Sequence, residues 1–121
     1  MAKILIVDDE PINCLILEKF LTEAGKGHDA KSCESGAEAI QLAASWNPDL
    51  IFMDLNMPGM DGITAITNIR KQGYTGKIII VTANHSSQNA RLGAKAGANG
   101  FLAKPVDGKN ITSVVESILP S

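Results

Sequence analysis

The sequence contains few aromatic residues and no long apolar run. Phe, Trp and Tyr make up 4% of its 121 residues. No apolar run approaches the ~18 residues that a membrane-spanning helix needs. The N-terminus also lacks the apolar stretch and cleavage site of a signal peptide. These absences predict a cytoplasmic protein without a membrane segment.

Cysteines and clustered charges are also scarce. The two cysteines, Cys14 and Cys33, do not form a C-x-x-C pair, and we expect both to be buried or half-buried thiols in a reducing compartment. The net charge is −2, and the Lys and Arg residues are scattered along the chain. Since nucleic-acid binding requires clustered positive charge, no direct contact with nucleic acid is expected.

What the chain does contain is enough apolar material for one globular domain over residues 1–121. The hydrophobic fraction is 45%, which is typical of a protein with an ordinary core. Continuous apolar runs predict strands at residues 4–7, 50–53, 78–81 and 101–103. Such runs are typical of strands buried on both faces of a parallel sheet. A more polar segment at residues 29–33 predicts a strand at the edge of the sheet.

Helical patterns separate the predicted strands. The first helix begins at Pro11, carries Ile12, Leu15, Ile16 and Phe20, and is expected to end at Gly25. The second begins at a capping box, Ser35 to Glu38. The third includes residues 63–70, the fourth residues 89–96, and the fifth is capped by Asp107. Five alternating β-α units predict a doubly wound parallel α/β domain with helices on both faces.

Polar side chains follow four of the predicted strands. Asp8, Asp9 and Glu10 follow the first, Asp54 the third, Thr82 the fourth and Lys104 the fifth. Ligands of doubly wound sheets bind beyond the carboxyl ends of the strands, so we expect these side chains to meet there. Two carboxylates ~4 Å apart repel by ~4 kcal/mol at an effective dielectric constant of ~20, which indicates a bound cation. Oxygen ligands favour Mg²⁺, and a lysine and a hydroxyl can bind a phosphoryl group.

The same segments resemble the motifs of response-regulator receiver domains, in order and spacing, over essentially the whole chain. The segments are Asp8-Asp9, Asp54-Leu55-Asn56-Met57-Pro58-Gly59-Met60-Asp61-Gly62, Val81-Thr82-Ala83 and Lys104-Pro105. The resemblance implies a single flavodoxin-like (βα)5 domain with strand order 2-1-3-4-5. The Met-Pro-x-Met-Asp-Gly and Lys-Pro-Val segments are similar to receivers of hybrid sensor kinases.

The resemblance also implies a role for each site residue. Asp54 is the implied phosphoacceptor, and Lys104 is the lysine that pairs with the phosphoryl group. The implied Mg²⁺ ligands are Asp8, Asp9, Asp54 and the backbone carbonyl of Asn56. Thr82 is the implied switch hydroxyl, and Phe101 occupies the position of an aromatic residue that changes rotamer on activation.

By this resemblance the protein is a phosphorylation switch of a two-component or phosphorelay system and not an enzyme acting on an external substrate. Its implied phosphodonor is a sensor histidine kinase or a histidine phosphotransfer domain, and its output partner is unknown. The implied output surface consists of the fourth helix, the fifth strand and the fifth helix. The protein is expected to be a monomer or a phosphorylation-dependent dimer.

The sequence argues against two other functions and leaves one local question open. A phosphohydrolase would need a second Asp two residues after the nucleophile of the first strand, and Asp8-Asp9-Glu10 lacks that spacing. A flavodoxin-like carrier would need aromatic residues to stack a flavin, and few are present. Asn56 and Asn84 either tune the access of water to the acyl phosphate or are loop amides that satisfy turns.

Overall fold

The protein forms a five-stranded parallel sheet with five helices. The computed structural model describes residues 2–23, 27–83 and 86–118. The strands are β1 (Lys3–Val7), β2 (Asp29–Cys33), β3 (Leu50–Met53), β4 (Lys77–Thr82) and β5 (Gly100–Ala103). The helices are α1 (Pro11–Glu23), α2 (Gly36–Ser45), α3 (Gly62–Lys71), α4 (Ser87–Ala96) and α5 (Gly108–Ile118). The strand order is β2-β1-β3-β4-β5, which confirms the predicted fold class and strand order.

The three central strands are buried on both faces, as their continuous apolar sequences predict. Because side chains alternate between the two faces of a strand, β1 contributes Leu5 and Val7 to one core, and Ile4 and Ile6 to the other. The first core is covered by α2 and α3, and the second by α1 and α5. The polar strand β2 lies at the edge, as expected.

In four of the helices, the side chain of the residue before the helix accepts a hydrogen bond from an amide of the first turn. Ser35 Oγ accepts a hydrogen bond from the amide of Glu38 at 3.2 Å, which confirms the predicted cap of α2. Asp61 caps α3, and Ser86 caps α4. Asp107 Oδ1 accepts from the amide of Asn110 at 2.7 Å, which confirms the predicted cap of α5. Each cap satisfies an amide that has no partner within its helix.

Two helices differ in detail from the sequence prediction. α4 begins at Ser87, two residues before the predicted start, because the Ser86 hydroxyl caps it. α1 buries Cys14, Leu17 and Leu21, whereas three of the apolar residues that predict the helix are exposed. The predicted end of α1 at Gly25 lies outside the described residues.

The described residues include no helix that is long and apolar enough to cross a membrane. Cys14 and Cys33 are both buried and free, as predicted.

Candidate functional site

Backbone hydrogen bonds continue one residue past the strands and bring three predicted site residues to the same edge of the sheet. The amide of Asp8 donates to Cys33 O at 3.1 Å, and the amide of Asp54 donates to Val7 O at 3.0 Å. The amide of Lys104 donates to Thr82 O at 2.9 Å. These bonds hold each residue in the register of its strand, so the side chains project beyond the carboxyl edge of the sheet.

Lys104 contacts both of the buried aspartates. Its Nζ lies 2.7 Å from Asp8 Oδ2 and 3.4 Å from Asp54 Oδ2. The side chains of Asp8 and Asp54 are 4% and 6% exposed, and that of Lys104 is 18% exposed. A single ammonium group therefore pairs with two carboxylates that have little contact with water. The structure thus brings together residues 8, 54 and 104, which the sequence places far apart.

The pKa values of this group follow from burial and from the three charges. Burial raises the pKa of the Asp54 carboxyl above its usual value, as does the neighbouring charge of Asp8, and the charge of Lys104 only partly opposes this. Burial by itself would lower the pKa of Lys104, but its hydrogen bond to Asp8 and the charges of both aspartates raise it above its usual value. Lys104 therefore stays protonated at neutral pH.

A second set of oxygens lies beside this ion pair. Asp8, Asp9 and Glu10 can each bring one carboxylate oxygen within 4.8 Å of the others. Asp8 is buried, Asp9 is half-buried and Glu10 is exposed. Carboxylate oxygens at this spacing fit a hard divalent cation such as Mg²⁺, which also keeps several waters. Glu10 is a third candidate ligand beside the predicted pair, while the assignment of Asp54 and the Asn56 carbonyl as ligands stays a prediction.

Asn56 links the predicted nucleophile to the predicted switch hydroxyl. Its amide N–H donates to Asp54 Oδ1 at 3.5 Å, and its Nδ2 donates to Thr82 Oγ1 at 3.2 Å. Thr82 is fully buried, and Phe101 is half-buried against the core that α2 and α3 cover. Asn56 thus connects Asp54 and Thr82 through two hydrogen bonds. Asn84, the second amide considered from sequence, lies outside the described residues.

The loop after Asp54 depends on a glycine. Gly62 N donates to Leu55 O at 3.0 Å, so the loop closes back on the end of β3. A Cβ at position 62 would collide with the carbonyl oxygen of Asp54 and would lie 2.8 Å from Leu55 Cα. Glycine at this position is therefore required for the close approach that holds the Asp54 backbone in place.

One feature beside the site was not recognised from sequence. Ile12, Leu15 and Ile16 of α1 are 59%, 60% and 40% exposed, and we call these three residues the α1 patch. Ile16 of this patch lines a cavity of about 250 Å³, which is also lined by Asp8, Lys104 and Val106. The signal available in the sequence was that α1 carries more apolar residues than one face of a helix can bury.

Comparisons with known proteins agree with this geometry. Residues 4–116 match the family described as the response regulator receiver domain. Protein PilH of Pseudomonas aeruginosa is 35% identical over 121 residues, which are 98% of this chain and 98% of PilH. The nitrate/nitrite response regulator protein NarL of Escherichia coli is 30% identical over 110 residues. That match covers 91% of this chain and 51% of NarL, so this chain spans about half of the length of NarL.

Solved structures show the same architecture. The chemotaxis protein CheY4 of Vibrio cholerae superimposes with a TM-score of 0.91 and 29% identity, covering 98% of this chain and 99% of CheY4. A putative response regulator from Chloroflexus aurantiacus gives a TM-score of 0.89 and 33% identity, covering 99% and 98% of the two chains. The more specific resemblance to receivers of hybrid sensor kinases is not tested by these relatives and stays a prediction.

Proposed function

We propose, because the chain belongs to the family of response regulator receiver domains, that Asp54 accepts a phosphoryl group and thereby switches the surface formed by α4, β5 and α5. The observation that carries the proposal is the ammonium of Lys104, held 2.7 Å from Asp8 and 3.4 Å from Asp54. Asp54 is nearly buried, and the cation beside it can also bind phosphoryl oxygens.

The proposed reaction transfers a phosphoryl group from a histidine nitrogen of the partner to a carboxylate oxygen of Asp54. A carboxylate oxygen of Asp54 attacks the phosphorus of a phosphohistidine in the partner, the P–N bond breaks, and the imidazole leaves with the electron pair and is protonated by solvent. Lys104 offsets the negative charge on the phosphoryl oxygens, and its contact with Asp8 holds the ammonium in position. Because the nucleophile must be ionised, the raised pKa of Asp54 makes transfer sensitive to acid.

The proposed metal ligands are Asp8, Asp9, Asp54 and the backbone carbonyl of Asn56, with Glu10 as a further candidate. A bound Mg²⁺ would supply positive charge that the phosphoryl oxygens and the carboxylates share. The fit rests on the donor set, which consists of oxygens only, and on the closeness of the Asp8, Asp9 and Glu10 carboxylates.

The switch is proposed to begin at Thr82. A hydroxyl has one donor and can accept two hydrogen bonds, so Thr82 can donate to a phosphoryl oxygen while it accepts from Asn56. Phe101 lies in β5 two residues before Ala103, which pairs with Thr82 in the sheet, and is half-buried. A phosphoryl group would thus shift an existing equilibrium of this region by adding contacts in one of its states.

The α1 patch is the proposed contact for the phosphodonor. It borders the cavity that leads to Asp8 and Lys104, so an apolar surface of a histidine-bearing partner could pack on it while the phosphohistidine reaches Asp54. An exposed cluster of large apolar side chains beside a site is typical of a protein contact.

Labelling of the purified protein with acetyl phosphate and Mg²⁺ tests the phosphoacceptor. We expect the unsubstituted chain to gain one phosphoryl group and Asp54→Asn to gain none. The proposal fails if Asp54→Asn is labelled at the same rate.

Labelling by an autophosphorylated histidine kinase that phosphorylates the unsubstituted chain tests the partner contact. We expect Leu15→Gln to slow this transfer while labelling by acetyl phosphate stays unchanged. Leu92→Gln is the matched control, since Leu92 is an exposed leucine on α4 and is 44% exposed. Equal slowing by both variants would argue against the α1 patch as the donor contact.

A further inference from the structure

Large apolar side chains are exposed on two helices of this protein. Among the residues that the structure describes, four such side chains are exposed, and all of them lie on α1 or α4. Three form the α1 patch, and the fourth is Leu92 of α4, which is 44% exposed. Each of these two helices therefore presents apolar surface to the solvent.

The charges around the two apolar surfaces are of opposite sign. Residues 87–96 of α4 contain two basic residues, Arg91 and Lys95, and no acidic residue. Residues 10–23, which include α1, contain three acidic residues and one basic residue, Lys19. The surface of α1 is therefore negative on balance, and the surface of α4 is positive.

The charged and apolar residues of α4 share one face of the helix. Gln88, Arg91, Leu92 and Lys95 have the spacing i, i+3, i+4 and i+7, and all four are exposed. We call these four residues the α4 face. The α1 patch has the spacing i, i+3 and i+4, so it also lies along one side of its helix.

The α1 patch and the α4 face lie on opposite sides of the sheet. The buried residues of α1 belong to the core that α1 and α5 cover. Gly93, the buried residue of α4, lies against Ile80 of the other core, and a Cβ at this glycine would collide with that side chain. One molecule therefore cannot bring its own α1 patch and α4 face together.

The α4 face is held firmly in place by the neighbouring helix α3. Arg70 of α3 donates to the carbonyl of Gly97, the C-cap of α4, through Nε at 3.0 Å and Nη2 at 2.8 Å. Its Nη1 donates to Tyr74 O at 2.9 Å and to Gly76 O at 2.8 Å, before β4. A surface that is already ordered loses little conformational freedom when it binds a partner.

We propose that copies of this chain associate by packing the α1 patch of one molecule against the α4 face of another. This arrangement places apolar side chains together and brings surfaces of opposite charge into contact. A symmetric contact would place acidic residues beside acidic ones, or Arg91 and Lys95 beside their own copies, and like charges in contact are unfavourable.

The proposed contact produces chains of molecules. It uses one surface of each molecule and leaves the unlike surface free on the opposite side, so a further copy can bind at either end. It goes beyond the phosphorylation-dependent dimer that the sequence resemblance implies, because it joins unlike surfaces and requires no phosphoryl group. In the associated form the α1 patch, which is the proposed contact of the phosphodonor, is covered.

The association is weak because the contact is small. A helix of ten residues is ~15 Å long, and two helices of about this length bury less area than the ~1,600 Å² of a standard interface. Sedimentation of the metal-free, unphosphorylated chain at concentrations up to millimolar tests the proposal. We expect the average mass to rise with concentration and to pass the mass of a dimer without reaching a fixed size.

A mixing experiment distinguishes the proposed contact from a symmetric one. Leu15→Gln impairs the α1 patch and Leu92→Gln impairs the α4 face, so each variant alone should remain monomeric. An equal mixture of the two contains one intact pair of surfaces, and we expect it to form dimers and nothing larger. If Leu15→Gln does not fold, Ile12→Gln replaces it, since Ile12 is 59% exposed.

The role of charge is tested by Arg91→Glu and its matched control Lys77→Glu. Lys77 is exposed at the start of β4, and both substitutions change the net charge of the chain equally. We expect Arg91→Glu to weaken the association constant by about tenfold or more and Lys77→Glu to change it by less than about twofold. Equal weakening by both would overturn the assignment of the α4 face.

Three other results would overturn the proposal. They are an unsubstituted chain that stays monomeric at millimolar concentration, a single leucine variant that associates as the unsubstituted chain does, and a mixture of the two leucine variants that stays monomeric while the unsubstituted chain associates. None of these measurements depends on phosphorylation of Asp54, so this inference and the proposed function can fail separately.

Discussion

Replacement of Lys104 by Met should destabilise the metal-free protein strongly, and the size of the effect can be worked out from the site. The oxygens of Asp8 and Asp54 lie 2.7 and 3.4 Å from the same nitrogen. They are therefore at most about 6 Å apart, and at an effective dielectric constant of about 20 two such charges repel by about 3 kcal/mol. In Lys104→Met this repulsion is no longer offset by a cation.

Because the lysine is partly exposed, we expect the free energy of unfolding at pH 7 to fall by about 2–3 kcal/mol, somewhat less than for a fully buried pair. For a chain of this length the melting temperature should fall by about 10 °C. The loss should shrink as the pH is lowered, since protonation of Asp54 removes one of the two charges. Urea unfolding in the presence of a chelator measures the effect.

A double-mutant cycle identifies the cause of the loss. We expect Asp54→Asn to stabilise the protein by at least about 1 kcal/mol more in the Lys104→Met background than in the unsubstituted chain, because it removes the unpaired charge. Lys109→Met is the control for loss of a lysine, since Lys109 is exposed on α5, and it should change stability by less than about 0.5 kcal/mol. An Asp54→Asn effect of the same size in both backgrounds would refute this account of the site.

Three further results are expected. Asp54→Asn should stabilise the metal-free protein at neutral pH, because a folded-state pKa above the usual value means that folding disfavours the ionised carboxyl. Thermal unfolding measures this gain in stability. The gain should vanish below pH 3.8, the usual pKa of the carboxyl, grow until the pH passes the pKa of Asp54 in the folded protein, and then stay constant. A gain that increases toward acid would contradict this prediction. Mg²⁺ at ten times its Kd should stabilise the unsubstituted chain by about 1.4 kcal/mol, and Asp9→Asn should need a higher Mg²⁺ concentration for the same shift; an identical titration would remove Asp9 from the ligand set. Gly62→Ala should cost about 3 kcal/mol and slow Asp54 labelling, because its Cβ collides with the Asp54 backbone. Gly59→Ala, whose Cβ meets no atom within 4 Å but whose φ is +80°, should cost only about 1 kcal/mol in urea unfolding, and similar losses for the two would argue against the collision.

Much of the fold was predictable because its determinants are local. A strand buried on both faces needs a continuous apolar run, so β1, β3 and β4 were predicted within one residue at either end. Helix caps act over three residues, so the roles of Ser35 and Asp107 could be predicted without tertiary information. The candidate site was predictable for a related reason: once the strands are parallel, the residues that follow them must share one edge.

Tertiary packing alone decided which apolar residues of α1 are covered. Ile12, Leu15 and Ile16 are as apolar as Cys14, Leu17 and Leu21, so the pattern of α1 does not distinguish its buried face from the exposed one. That choice depends on the direction in which the helix approaches β1 and α5, which is a property of the assembled sheet.

The sequence by itself determined the alternation of strands and helices and the order of the acidic, hydroxyl and lysine residues along the chain. Only the tertiary structure decided that Lys104 bridges Asp8 and Asp54, and that Arg70 holds the end of α4 at Gly97. These contacts join residues 96, 50 and 27 positions apart. Pairings over such separations form only after the sheet has brought the segments together, because no local pattern encodes the distance between two side chains on different strands or helices.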